Sequence, residues 1–268
     1  HRRCGLDCQR NVPMMPNLAA LLALPIGEIA VLAVICLIAG LVRGFSGFAL
    51  SAMVMASGAL IIAPVHLIPI CWWLEITASL FMLRGGWLDA NRKVAIGLAI
   101  GSTLGVPFGL ALTIAIAADL SKLLALGVII ALATFQLSQI KIQFLATKWG
   151  LYGSGWLAGI VTGLAGVGGM VVALYVLAQQ APPRQMRASL VLFLFLGSVT
   201  TMISLWSFGV MDETAIMRGL VMSFPAGLGV VMGKLLFVPK WEHLYKPFCL
   251  TLLIALASTG VIRLLLSA

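Results

Sequence analysis

Residues 158–169 read Ala158-Gly159-Ile160-Val161-Thr162-Gly163-Leu164-Ala165-Gly166-Val167-Gly168-Gly169. The stretch is too apolar for a solvent loop. It is also too rich in glycine for an unbroken helix, since each interior glycine lowers helix stability by about 1 kcal/mol relative to alanine. It separates the apolar runs 150–165 and 168–178 with no charge between them. At about 1.5 Å per residue these runs reach roughly 24 Å and 16 Å as helices, against a bilayer hydrocarbon core of about 30 Å. The second run is too short to cross alone, so the break between them is expected at depth in a membrane.

The rest of the chain supplies that membrane domain. Of 268 residues, 62% are hydrophobic and 9% charged, and the mean hydropathy is +1.12. Soluble domains run near 45–50% apolar and about 25% charged, so a soluble globular protein is excluded. Apolar runs fall at 29–44, 48–63, 67–83, 94–117, 123–140, 150–165, 168–178, 188–208, 215–238 and 247–266. These predict an all-α polytopic membrane protein with no room for a soluble catalytic domain. The net charge of +9 is expected on cytoplasmic loops facing anionic lipid rather than on a nucleic-acid surface. Cys36, Cys71 and Cys249 lie in apolar runs and read as buried small hydrophobes. Residues 1–27 read as an N-terminal tail, of which 1–13 look like an upstream extension before Met14 or Met15. The first apolar run lacks a small-residue cleavage site and reads as a retained helix.

The chain also resembles itself. Residues 39–47, Ala-Gly-Leu-Val-Arg-Gly-Phe-Ser-Gly, match residues 158–166 at an offset of 119. The same offset carries Pro64 to Pro183 and Trp87 to Trp206, and one residue out of step Gly101, Pro107 and Gly109 fall on Gly219, Pro225 and Gly227. Two repeats follow, 28–146 and 147–268, each with five hydrophobic segments. An odd number per repeat makes the second enter the membrane from the opposite side, the inverted-repeat plan of secondary transporters. Loops holding Arg43, Arg84, Arg92, Lys93, Lys141, Lys148, Arg184, Arg187, Lys240 and Lys246 are expected in the cytoplasm by the positive-inside rule. The Asp212 loop and both termini are then outside.

Each half thus begins with a hairpin whose glycine-rich elbow ends within the membrane. Irregular backbone is tolerated at that depth only where it is buried in protein or lines a wet cavity, and a helix restarting there turns free N–H groups and a positive dipole end toward an anion. The candidate substrate-binding residues are therefore Arg43, Gly44, Ser46 and Gly47 at the first elbow, and Thr162, Gly163, Gly166, Gly168 and Gly169 at the second. Gly40 with Gly44 and Gly159 with Gly163 equally fit close helix packing. Arg43 either holds the anion or snorkels to the cytoplasmic face. Glu75, midway along the third run, is the most exceptional ionisable residue. It is either a proton carrier coupled to transport or the fixed partner of a buried arginine. Gln136, Gln139, Ser198, Thr200 and Thr201 are neutral donors for a cavity or for helix–helix bonds. The tryptophans read as lipid-facing or interfacial. His66 and His243 have no metal-ligand spacing, no phosphate loop is present, and no paired acids or Ser/His/Asp set points to an enzyme. Neither a metal nor a cofactor is expected.

The ordered motifs Gly40-x-x-x-Gly44-Phe-Ser-Gly47, Pro64, Glu75, Arg84-Gly-Gly-Trp-Leu-Asp89 and Gly105-Val-Pro107-Phe-Gly109, followed by Gly159-x-x-x-Gly163-Leu-Ala-Gly166-Val-Gly168-Gly169 and Pro183-x-x-x-Arg187-Ala-Ser189, resemble the TauE/SafE sulfite exporter family. The chain departs from the family pattern at Phe48-Ala49, where relatives often carry a glycine pair, and at Met170-Val171, where proline often follows. The resemblance implies a multi-pass carrier in a bacterial inner membrane, moving small sulfur-containing anions such as sulfite or sulfonates and driven by protons. A carrier of a non-sulfur carboxylate, or an intramembrane enzyme or assembly factor, stands as the alternative.

Overall fold

The computed structural model describes residues 22–86, 89–139, 147–179, 182–236 and 242–267. Most of the tail, Trp87 and the loop residues Lys141 and Lys240 lie outside the described residues, as do the side chains of Arg84, Lys148, Arg184, His243 and Lys246. The described residues form ten helices: α1 Ile26–Ser46, α2 Leu50–Gly58, α3 Pro64–Gly86, α4 Arg92–Ala115, α5 Ala118–Leu137, α6 Lys148–Ala165, α7 Gly168–Ala178, α8 Pro183–Ser207, α9 Glu213–Leu235 and α10 Glu242–Ser267. Local chemistry sets several of the starts. Asn91, Thr147 and Asp212 accept from the backbone N–H of Val94, Gly150 and Ala215 to cap α4, α6 and α9, satisfying donors that have no intrahelical partner. Pro183 opens α8, where its missing N–H is not needed.

Seven of these helices are long and apolar enough to cross a membrane. Large apolar side chains such as Leu104, Phe108, Trp206 and Phe224 stand exposed on their outer faces, the surface that lipid covers. The protein is an all-α polytopic membrane protein. The run 48–63 yields much less helix than its length suggests: α2 stops at Gly58, whose carbonyl accepts from both Ile61 and Ile62 at 2.9 Å and turns the chain toward Pro64. At nine residues, α2 is about 13 Å long, shorter even than the eleven-residue α7 at about 16 Å.

The packing is symmetric between the halves. α1 lies against α9 as α6 lies against α4, α3 meets α9 as α8 meets α4, and the pairs α3 with α8 and α5 with α10 map onto themselves. Glycines make the two closest contacts possible. Gly101, Gly105 and Gly109 of α4 meet Gly155, Gly159 and Gly163 of α6, where an added Cβ would run into backbone of the facing helix. In the same way Gly40 and Gly44 of α1 meet backbone from Ala226 to Lys234 of α9. The packing role offered for these Gly-xxx-Gly pairs is thus the one they serve.

One detail of the self-similarity changes. Gly105 sits on the carbonyl of Trp156 and Gly109 on that of Ile160, whereas Gly229 sits on that of Leu37 and Gly233 on that of Leu41. The structural counterparts of Gly105 and Gly109 are therefore Gly229 and Gly233, not residues read off the out-of-step match. Gly219 and Gly227 instead face Trp73 and Phe81 of α3.

Two glycines of α6 separate packing from propensity. An added Cβ at Gly153 meets nothing within 4 Å, while at Gly155 it would lie 2.5 Å from the carbonyl oxygen of Leu98. In thermal unfolding of the purified protein, Gly153→Ala is expected to be neutral or to stabilise by up to about 1 kcal/mol. Gly155→Ala is expected to destabilise by about 1–3 kcal/mol.

Candidate functional site

The two elbows share one local geometry. α1 ends at Gly47, with φ +80°, whose N–H returns to the carbonyl of Arg43 at 2.8 Å, and α6 ends at Gly166, with φ +69°, whose N–H returns to that of Thr162 at 2.8 Å. A left-handed residue at a helix C-terminus is where glycine avoids the Cβ clash. The helices then restart. Ala49 precedes α2 with φ +75°, a left-handed position that places about 1–2 kcal/mol of strain on an L-residue. It lies in the pair Phe48-Ala49 that departs from the glycine pattern noted above.

At the first elbow the restarting helix meets a carboxylate. Glu75, from the middle of α3, accepts from Ser51 Oγ at 2.6 Å and from Ser51 N at 3.4 Å through Oε1, placing negative charge at the dipole-positive start of α2. Arg43 Nη2 lies 3.1 Å from the other carboxylate oxygen, Oε2, without the alignment of a hydrogen bond, and Arg43 Nε has no partner. The guanidinium is almost sealed, with 1% of the side chain exposed, while Glu75 retains 15%. Arg43 therefore does not snorkel. It is the buried partner of Glu75.

At the second elbow the restarting helix has no side-chain cap. The Val167 carbonyl accepts from Met170 N at 2.9 Å, and Gly168 and Gly169 form part of the wall of a cavity of about 50 Å³. About 10–15 Å³ of such space holds one water, so this cavity takes several waters or one small ion. Ser102, Thr162, Ser198 and Thr201 bring hydroxyls to it, and Glu75 brings a carboxylate. Each of those hydroxyls donates to a carbonyl of its own helix, at 2.6–2.9 Å, and is able to rotate toward a guest. Trp72 closes one side, its indole N–H donating to the Ser198 carbonyl at 2.8 Å.

The residues singled out from sequence separate accordingly. Thr162, Gly166, Gly168, Gly169 and Glu75 line the cavity, and Arg43 stands behind Glu75. Gly44 and Gly163 lie in the α1–α9 and α6–α4 contacts instead. The Ser46 hydroxyl donates to the Phe48 carbonyl within the elbow, at 2.9 Å. Gly47 faces Arg187, whose Nη2 donates to the Gly44 carbonyl at 3.1 Å. Gln136 holds α7 through the Met170 carbonyl at 2.9 Å. Ser198 and Thr201, spaced to share a helix face, belong to the cavity wall. Ser102 carries no local signal beyond a hydroxyl in an apolar run. Trp72 and Trp73 are not interfacial: they meet edge to face with centroids 5.0 Å apart, Trp72 on the cavity and Trp73 under Gly219.

Two interrupted helices, with a small cavity at the second elbow, sit among helices long and apolar enough to span a membrane, and together they define a polytopic membrane protein. The sequence matches the family model of the sulfite exporter TauE/SafE over residues 32–259. The chain belongs to the TauE/SafE sulfite exporter family, a family of membrane transporters. No curated protein and no solved structure matches it.

Removing one member of a buried ion pair strands the other, whereas removing both does not. Arg43→Met is expected to destabilise by about 3–5 kcal/mol in thermal or denaturant unfolding. Arg43→Met combined with Glu75→Leu is expected to recover more than half of that loss.

Proposed function

We propose that this chain is a secondary carrier that exports small sulfur oxyanions, sulfite or an organosulfonate, across a bacterial inner membrane, with the cavity at the second elbow as its anion site. The observation that carries the reading is the first turn of α7, without a side-chain cap, on a cavity that the hydroxyls of Ser102, Thr162, Ser198 and Thr201 reach. A helix N-terminus carries the equivalent of about half a positive charge, and its N–H groups suit a compact oxyanion. Gly168 and Gly169 border the cavity, Gly168 packed against Thr162 and the Ala158 carbonyl and Gly169 beside the end of Leu194. The symmetric packing of the halves supports an inverted-repeat design, 28–146 and 147–268, in which one half rocks against the other around the site. The arginine- and lysine-bearing loops then face the cytoplasm.

Glu75 is the proposed coupling residue. Its carboxylate shares the cavity with the anion, so protonation removes a repelling charge and favours occupancy. Transport of methanesulfonate, whose own charge is constant in this range, is then expected to rise as pH falls in the wild-type protein and to lose that dependence in Glu75→Gln. An identical pH profile in the two would remove Glu75 from coupling.

The substrate class is tested in proteoliposomes with an imposed pH gradient, offering sulfite, sulfoacetate, taurine, sulfate and a dicarboxylate in turn. Saturable, gradient-dependent movement of a sulfur anion is expected. Movement of the dicarboxylate alone would keep the architecture and discard the sulfur chemistry. Gly169→Leu, which fills the cavity against the movable end of Leu194, 3.3 Å from an added Cβ, is expected to abolish uptake while the protein still purifies folded.

A further inference from the structure

The two elbows are built alike but terminate differently. An offset of 119 residues carries the left-handed cap Gly47 to Gly166 and the helix start Pro64 to Pro183. The same offset carries Arg43, Ser51 and Glu75 to Thr162, Met170 and Leu194. At the second elbow Leu194 packs beside Gly169 and offers nothing to the first turn of α7. At the first elbow the corresponding side chain is a carboxylate, and it fills the place at the start of α2.

That place is a complete anion site. It combines the first turn of α2, the Ser51 hydroxyl and amide, and the Arg43 guanidinium, which is 99% buried with its Nε unpartnered. Its occupant is tethered to α3 and also forms part of the wall of the central cavity, so an ion in the cavity lies beside the group that blocks the site. The charged and titratable groups facing Glu75 are Arg43 from α1 and the Cys71 thiol from its own helix. The second elbow and α8 present glycine backbone and the Ser198 and Thr201 hydroxyls.

We propose that the first elbow is a second anion-binding station, held in this structure by the Glu75 carboxylate, and that a small monovalent oxyanion or carboxylate takes its place when Glu75 swings away. An anion crossing the cavity then passes from the start of α7 to the start of α2 by displacing a resident negative charge, and Arg43 keeps a partner throughout. The identity of the arriving ion rests on the function proposed above. The station itself does not, because its ligand chemistry is already that of a carboxylate.

The test is chemical rescue in purified full-length protein, with formate as the probe. Glu75→Ala empties the station and leaves Arg43 alone. Formate at roughly tenfold above its dissociation constant is then expected to raise the melting temperature of this variant by about 4 °C. The wild-type protein, whose station is filled, and Arg43→Met with Glu75→Leu, whose station lacks the cation, are expected to show no shift. No shift in Glu75→Ala, or the same shift in all three proteins, overturns the proposal. If Glu75→Ala does not purify in chloride, it is prepared in formate and exchanged into gluconate: folding that depends on formate supports the station, and failure in both salts overturns it. Wild-type liposomes that move no sulfur anion would sink the proposed substrate and leave a positive rescue standing, whereas absent rescue with intact sulfite transport would sink the station alone.

Discussion

Backbone N–H and C=O groups have no water to bond in the bilayer core, and each one left unpaired there is costed at several kcal/mol. Two helices of this protein stop and restart inside the bundle, so the organisation around them answers where the released groups go. The C-terminal sides are handled locally, by the left-handed glycines at 47 and 166 and their N–H bonds back to Arg43 and Thr162. The N-terminal sides cannot be handled that way. One is met by Glu75 and the other opens on the cavity. Everything chemically distinctive in the molecule follows from that second difficulty.

Such elbows need a stiff frame, and the frame is glycine. Where α4 crosses α6 and α1 crosses α9, the backbones approach so closely that no Cβ fits between them. Contacts of this kind draw their stability from van der Waals packing, since lipid offers little hydrophobic drive between helices. They also join the halves, because each interface pairs the first helix of one half with the fourth of the other. Residues of the opposite half also reach each elbow: Arg187 lies beside Gly47, and Cys71 beside Gly166. A relative movement of the halves would alter both elbows together.

The electrostatics are economical and unequal. Among the described cavity-lining residues, Glu75 is the charged one, and its partner Arg43 is almost entirely sealed behind it. The wall therefore combines one member of an ion pair with one helix start and several hydroxyls.

Much of this was legible in the chain itself. Hydrophobic content and run length dictated a helical membrane protein, and the glycine clusters at 44–47 and 166–169 marked both interruptions, because a left-handed cap admits little else. Glu75 and Arg43 stood out as charges in apolar surroundings, though spacing left open whether they were partners: their separation of 32 residues along the chain is bridged only by the fold. What the sequence could not distinguish was a glycine that packs from a glycine that lines a site. Gly44 and Gly168 look alike as letters, and both sit against the backbone of a neighbouring helix, α9 for Gly44 and α6 for Gly168, but Gly168 also borders the cavity. Ser102, Trp72, Ser198 and Thr201 were no clearer, since each sits in an ordinary apolar helix and acquires meaning from three helices converging. Composition and backbone conformational limits act on neighbours in the chain and so can be read from it. The direction a side chain faces in a membrane bundle is set by which helices pack together, and that is decided in three dimensions.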